Sequence, residues 1–364
     1  MTKGVPLYAT IRPYATAGVA LVGASLVAIT PVSAPLPALR DVQSPVVALT
    51  SAWDDVLNAA SANVTAMLNN WYLAPGVGMQ QFWANQMSYW DQLANDPAGS
   101  TNEINEQIQL HLNAVISGWA LQNETDATHS TVLNHTMDGT HALMFGQVAG
   151  YIPADVDKDS IMPIIDYLGS PASAVLMGMI GPGISPWIAL LNGITDGDNP
   201  FDILVNMGGA FFNGATLNLD ALLPMINSSG YFPAGMNMDH LDFAFGGLLS
   251  PGAVAVGPYQ VLGPGGEVAA SVPAVGGSIF QSVGIEFSGL PVLGTLDLNS
   301  AGIGPIAAWQ AWGQTVGALL GSGWDGKGSV VVTPPLAGAE LPLLDDGSAA
   351  ATDAFGWLGD LLGL

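Results

Sequence analysis

The sequence predicts a mainly α protein, with an amphipathic helical N-terminal domain and a Gly/Pro-rich second half of short helices and minor β-hairpins. Three observations predict it. Apolar residues recur at three- and four-residue steps through the first third of the chain. Glycine (46) and proline (25) punctuate the rest and shorten any element there. Only 9% of residues are charged and the mean hydropathy is +0.41, so the chain has ample apolar surface to bury. At 364 residues one or two domains are expected.

The first 38 residues have a targeting layout. Lys3 and Arg12 precede an uncharged apolar stretch, Ala15 to Ile29, which is too short to span a bilayer comfortably. Small residues follow at Val32-Ser33-Ala34. Pro35 disfavours a cut directly after Ala34, so a cut after Ala38 fits better. The segment reads as a Sec-type export signal, with an uncleaved N-terminal anchor as the alternative. Removing the first 34 residues leaves three cations, Arg40, Lys158 and Lys327, against 29 acidic residues, a formal charge of −26. Three scattered cations cannot neutralise a phosphate backbone, which excludes nucleic acid as a partner. Nor can they dock the chain on anionic head groups, which takes clusters of Lys and Arg. With no cysteine, disulfides, thiolate metal sites and a cysteine nucleophile are all absent.

Residues 40–150 read as a helical domain. Val46, Leu49, Trp53, Val56, Leu57, Ala60, Val64, Met67, Leu68 and Trp71 form one stripe, interrupted by Asp54, Asp55, Asn58 and Asn69 and stopped by Pro75-Gly76. A second helix runs from about Met79 to Leu93, with Trp83, Met87 and Trp90 in line. A third runs from about Asn102 to Gln122, with Ile104, Ile108, Leu112, Val115 and Trp119, and Thr101 at its start. These aromatic stripes are expected to face the core.

Residues 151–328 read as a Gly/Pro-rich hydrophobic domain. Between Asp166 and Asp196 no residue is charged, and Ala172 to Ile194 is long enough to cross a membrane. Gly178, Gly181, Pro182, Gly183 and Pro186 interrupt it, so two short buried helices joined at Gly181 to Gly183 are expected, with a membrane-entering hairpin as the alternative. Ala253 to Val256, Ser282 to Phe287 and Ser329 to Thr333 are brief β-prone pieces that predict small hairpins. The regular alternation of a transmembrane barrel is not found. Residues 329–364 read as a tail ending in a short amphipathic helix, Asp353 to Leu364.

One local motif has metal-ligand spacing. In DVDKDSIMPIID, Asp155, Asp157 and Asp159 alternate and Asp166 closes the run at position twelve, as in a calcium loop of the EF-hand type. Ser160 stands where the sharp turn wants Gly, Asp166 is shorter than the usual Glu, and Pro163 constrains the following helix. The competing reading is an acidic turn opening a helix from Ser160 to Leu168. No other cofactor is expected. His129, His135 and His141 are spaced six apart, so on one helix they point in different directions and do not make a transition-metal site. No G-x-S-x-G elbow, phosphate loop or dinucleotide fingerprint occurs, and the paired carboxylates sit in polar surroundings, so enzymatic activity is not expected.

Several blocks carry a family resemblance. NPFDILVNMGGAFFNGATLNLDALLPMI (Asn199 to Ile226), GGLLSPG (Gly246 to Gly252), AGIGPIAAWQAWGQTVGALLG (Ala301 to Gly321) and GWDGKG (Gly323 to Gly328), with RPYATAGVALVGASLVAITPV at Arg12 to Val32, resemble the GjpA-like outer-membrane porins of mycolic-acid-bearing actinobacteria. The resemblance implies export to the cell envelope and pore formation in the outer membrane; it supplies no catalytic residue. The expectation is therefore an exported, porin-like envelope protein, in contact with envelope lipid, self-associating and cation-preferring. The alternative is a secreted, non-enzymatic globular protein that meets the envelope or a host partner.

Overall fold

The computed structural model describes residues 45–73, 76–146, 148, 152, 157–230, 232, 235–262, 268–290, 294–321 and 330–332. The export segment, the C-terminal tail beyond 332 and Asp155 lie outside the described residues.

The protein is mainly α. Long helices come first: α1 (Pro45–Leu73), α2 (Val77–Asn95) and α3 (Ser100–Ala120), within two residues of the predicted bounds for the second and third. Shorter ones follow: α4 (Asp126–Thr136), α5 (Gly139–Phe145) and α6 (Lys158–Gly169). Each of these three opens on a side-chain cap. Thr125 accepts from the Thr128 N–H, Asp138 from Thr140 and His141, and Asp157 from Asp159. Each cap satisfies N–H groups that the first helical turn leaves without an internal acceptor.

Helix α7 (Pro171–Asp196) corrects the expectation of two short helices: it is continuous through Pro182 and Pro186. Its surroundings explain this. A Cβ on Gly181 would collide with the Gly246 carbonyl oxygen, and one on Gly178 would stand 3.0 Å from that of Gly304. The glycines admit two backbone segments against the helix, and Ser185 donates to the Phe245 carbonyl at 3.1 Å. Tertiary contact thus holds a helix that proline alone would weaken. Asn199 then caps α8 (Pro200–Asn213).

The β structure is more extensive than the three pieces predicted. β1 (Ala215–Asn218), β2 (Asn237–Phe245), β5 (Val283–Leu290) and β6 (Gly294–Leu298) form an antiparallel sheet in the order β1-β2-β5-β6. β3 (Ala253–Leu262) pairs antiparallel with β4 (Val268–Gly276) and parallel with β7 (Val330–Val332). The short helix α9 (Leu223–Asn227) follows a 3₁₀ turn at Asp220–Leu222 and packs on β2, and α10 (Pro305–Leu319) closes the described helices. β2 escapes prediction because its acids, Asp239 and Asp242, lie on a strand whose alternation is broken by a bulge between Met238 and His240.

From Val47 on, the described residues form one unit. Its main core joins Ala60 and Met67 of α1 to Ala174, Val175 and Met177 of α7, and to Ile303 and Ala307, Ala308 and Ala311 at α10. A second core lies on the sheet, around Met238, Ile285 and Phe287.

Candidate functional site

Helix α2 buries a mixed face and exposes an apolar one. Gln81 (8% exposed) and Asn85 (7%) are buried together with Val77, Gly78 and Tyr89. Its opposite face carries Trp83 (59% exposed) and Trp90 (69%) beside Met79, Phe82 and Met87. The predicted stripe of Trp83, Met87 and Trp90 is real, but it points away from the core. The reason lies in the partner helix. Gln81 donates to Asn85 at 2.9 Å, and Asn85 donates to the Leu320 carbonyl at 2.6 Å, satisfying the end of α10. Around them the backbones come close: a Cβ on Gly78 would meet the Gly313 oxygen at 2.8 Å, and one on Gly317 would collide with the Val77 side chain.

The neighbouring helices also expose large apolar side chains. α7 buries Ser173, Gly178, Gly181, Ser185 and Gly193 along with Val175, Met177 and Ile188, and turns Met179, Trp187 and Ile194 outward. α10 buries Ala307, Ala308, Ala311, Gln314 and Gly317 and exposes Ile306 and Trp309. Trp309 also stacks on Trp119 of α3, at 6.1 Å between ring centroids. α10 packs against both α2 and α7, and α7 packs against α8. Small and polar side chains glue the helices together, through Gln310 and Gln314 donating to Asn70 and Gln314 accepting from the Val275 N–H at 2.8 Å. Small residues thus make the closest approaches, while large apolar side chains lie on both sides of these helices, Val175, Met177, Ile188 and Leu319 inside and Trp187 and Trp309 outside. In water, each outward Trp, Met or Ile forgoes roughly 1.5–3 kcal/mol of burial.

The structure distributes the predicted metal ligands differently from a wrapped loop. Asp157 caps α6 and also accepts from Ser160 Oγ at 2.7 Å. Asp159 lies in the first turn of α6. Asp166 is two turns further, about 10 Å along the axis from Asp159 at the helical rise, so these residues do not surround one point. Asp166 instead meets His129 Nε2 at 3.3 Å, with Glu124 beside them. Hydrogen bonding to Asp166 raises the His129 pKa above its ordinary value, against the opposing effect of burial.

The other histidines do not converge with it. His135 is fully buried and its Nδ1 donates to the Thr131 carbonyl at 2.8 Å; burial lowers its pKa. His141 is buried between the Asp138 carboxylate, 2.9 Å from Nδ1, and the Val283 carbonyl, 2.8 Å from Nε2. Gln281 closes that network, accepting from the Asp138 N–H and donating to its carboxylate, both at 2.8 Å. The network ties the start of α5 to β5 over 143 residues of sequence. Burial raises the Asp138 pKa, but the His141 N–H, Gln281 and the imidazole outweigh it and the net shift is downward. On the sheet, His240 bridges Asp220 (2.9 Å) and Asp242 (3.0 Å). Sequence reasoning passes over Glu124, Gln281 and the partners of His240, since most of these contacts span long separations. The local signals present are the helix starts at Thr125 and Asp138.

No protein-family model, curated protein or solved structure matches this chain.

Proposed function

We propose that this is an exported, non-enzymatic envelope protein that seats its helical side in an apolar lipid layer. The observation that carries the reading is the exposed apolar face of α2, where Met79, Phe82, Trp83, Met87 and Trp90 lie outside while Gln81 and Asn85 are buried. α7 has the length and composition for such a seat, with 26 residues, and half of its most apolar stretch is left unburied by the protein. It rises about 39 Å at 1.5 Å per residue, more than the ~30 Å of a hydrocarbon core. Attraction to anionic head groups is weak for a chain with so few cations, so attachment rests on apolar contact. The resemblance to envelope porins and the export layout point to the same compartment. The described sheets have four and three strands, fewer than the eight of the smallest transmembrane barrels. Conduction on this reading therefore belongs to assembled copies, whose carboxylates favour cations.

Flotation with uncharged phosphatidylcholine vesicles tests the seat. The protein should rise with the vesicles and stay bound in high salt, and brominated acyl chains should quench its tryptophans. Substituting Trp83→Gln and Trp90→Gln together should cut partitioning by about a hundredfold or more, at roughly 1.5 kcal/mol or more for each indole. Its folding stability should change by less than about 0.5 kcal/mol, as at exposed sites generally. A monomer that stays at the bottom of the gradient, freely soluble, overturns the reading. Planar bilayers test conduction separately. Stepwise cation-preferring currents support a pore, and silent bilayers with full flotation remove the pore and keep the seat.

A further inference from the structure

We propose that Glu124, His129 and Asp166 form a divalent-cation site of the zinc class, which ties the turn after α3 to helix α6. The three residues come from three segments: Glu124 from the turn between α3 and α4, His129 from the first half of α4, and Asp166 from α6. One ligand atom from each lies within 4.8 Å of the others.

The His129–Asp166 contact is long for a charged hydrogen bond. Nε2 and Oδ1 stand 3.3 Å apart, whereas such bonds usually measure about 2.7–2.9 Å. In a tetrahedral shell with ligands at ~2.0–2.2 Å, neighbouring ligand atoms stand roughly 3.3–3.6 Å apart. The pair therefore already has the spacing of one edge of a coordination shell. The Asp166 side chain is only 15% exposed, and His129 is its one hydrogen-bond partner among the described residues. The half-buried carboxylate therefore keeps acceptor capacity for a further ligand. Glu124 makes no hydrogen bond among the described residues, so its carboxylate can swing to the same point.

The turn before Glu124 is itself unusual. Leu121 (φ 51°) and Asn123 (φ 57°) are the non-glycine residues in the left-handed region among those described. Leu121 is 1% exposed and packs with Ala114, Val132 and Leu319, which holds the turn in place. An imidazole with two carboxylates suits zinc and its neighbours; calcium prefers an all-oxygen shell. The site recruits Asp166 from the predicted calcium motif but takes its other ligands from outside it.

Calorimetric titration of the full chain with zinc chloride tests the site, with calcium chloride in parallel. One saturable zinc equivalent is expected, with no comparable calcium binding. His129→Gln and Asp166→Asn should each weaken it by about tenfold or more, since even losing a group that merely orients a ligand costs about 10–100-fold. Glu124→Gln removes no hydrogen bond, so it leaves folding intact and should still weaken zinc. Circular dichroism confirms that each variant is folded. Cobalt in place of zinc should give a visible absorption band that His129→Gln abolishes. A flat zinc isotherm, or binding unchanged in both His129→Gln and Glu124→Gln, overturns the site and leaves a histidine–carboxylate pair only.

Discussion

In β5, Ile285 and Phe287 point into a core with Met238 while Glu286 between them is exposed. In α2, Trp83 and Trp90 point outward while Gln81 and Asn85 are buried. The sheet obeys the rule of a protein in water. Its exposed positions also carry acid, with Glu286 directly opposite Asp297 on β6. Like charges in such a pair repel and are tolerated only where water screens them. The helices bring glycine, alanine, serine and amide side chains to their closest contacts, beside Val175, Met177, Ile188 and Leu319, and still leave large apolar side chains outside. Hydrophobicity alone does not separate the two regions. What separates them is how many large apolar side chains each leaves outside, and that contrast is what the proposed lipid seat rests on.

The largest expected effect falls on the water-type core. Phe287 is 4% exposed and packs edge-on against Phe232, at 5.6 Å between centroids. Phe287→Ala should cost about 3–5 kcal/mol, from lost transfer energy and the cavity left behind. Denaturant unfolding reads it as a lower midpoint with an unchanged slope. A cost below about 1 kcal/mol would mean that this core is not what holds the sheet.

The next effect probes the helical contacts, and there the informative quantity is its sign. Glycine to alanine inside a helix ordinarily stabilises by roughly 1 kcal/mol. At Gly183 a Cβ meets nothing within 4 Å, so Gly183→Ala should follow that rule. At Gly181 the Cβ would press on the Gly246 backbone, with the Gly246 carbonyl carbon 3.2 Å away as well as its oxygen. Gly181→Ala should therefore destabilise by about 1–3 kcal/mol, the usual cost of overpacking. Paired thermal melts of the two variants decide it. If both stabilise, the close approach of small residues is not what builds the α7 contact.

The same contrast governs what is legible in the sequence. The 3.6-residue period locates α2 and α3 to within two residues, because the period survives whichever way the stripe faces. That period cannot tell inside from outside, so it assigns the Trp83 and Trp90 stripe to the core. α7 reads as broken because Pro182 and Pro186 are local signals, while the segments at Gly246 and Gly304 that hold the helix are distant in sequence. The acidic turn at Asp157 is legible, since a cap acts within three residues. Glu124, whose carboxylate lies within 4.8 Å of that of Asp166 despite the distance between them in sequence, leaves no comparable local trace.

The smallest effect concerns pH, and it should be confined to the sheet. The hydrogen bond to Asp242 raises the His240 pKa; burial opposes it, and Asp220 adds to it. For Asp220, burial acts upward, but the Leu241 N–H, Asn218 and His240 outweigh it and the net shift is downward. A raised histidine stabilises the fold fully below its unfolded value of 6.5 and loses that contribution as pH rises through the folded value. A depressed carboxylate contributes above its unfolded value of 3.8 and loses it as pH falls through the folded value. The bridge is thus strongest from about pH 4 to 6.5. His240 and Asp220 are both more than a third exposed, and solvent screening holds such a pair within about 1 kcal/mol. The melting-temperature gap between the protein and its His240→Gln variant should be widest near pH 5.5 and shrink by pH 8.5. On α7 and α10, no residue from Gly169 to Thr195 or from Ala301 to Gly321 carries a charge, so vesicle flotation should not change over the same interval. Flotation that tracks the His240 titration would mean that the sheet, not the helical side, meets the lipid.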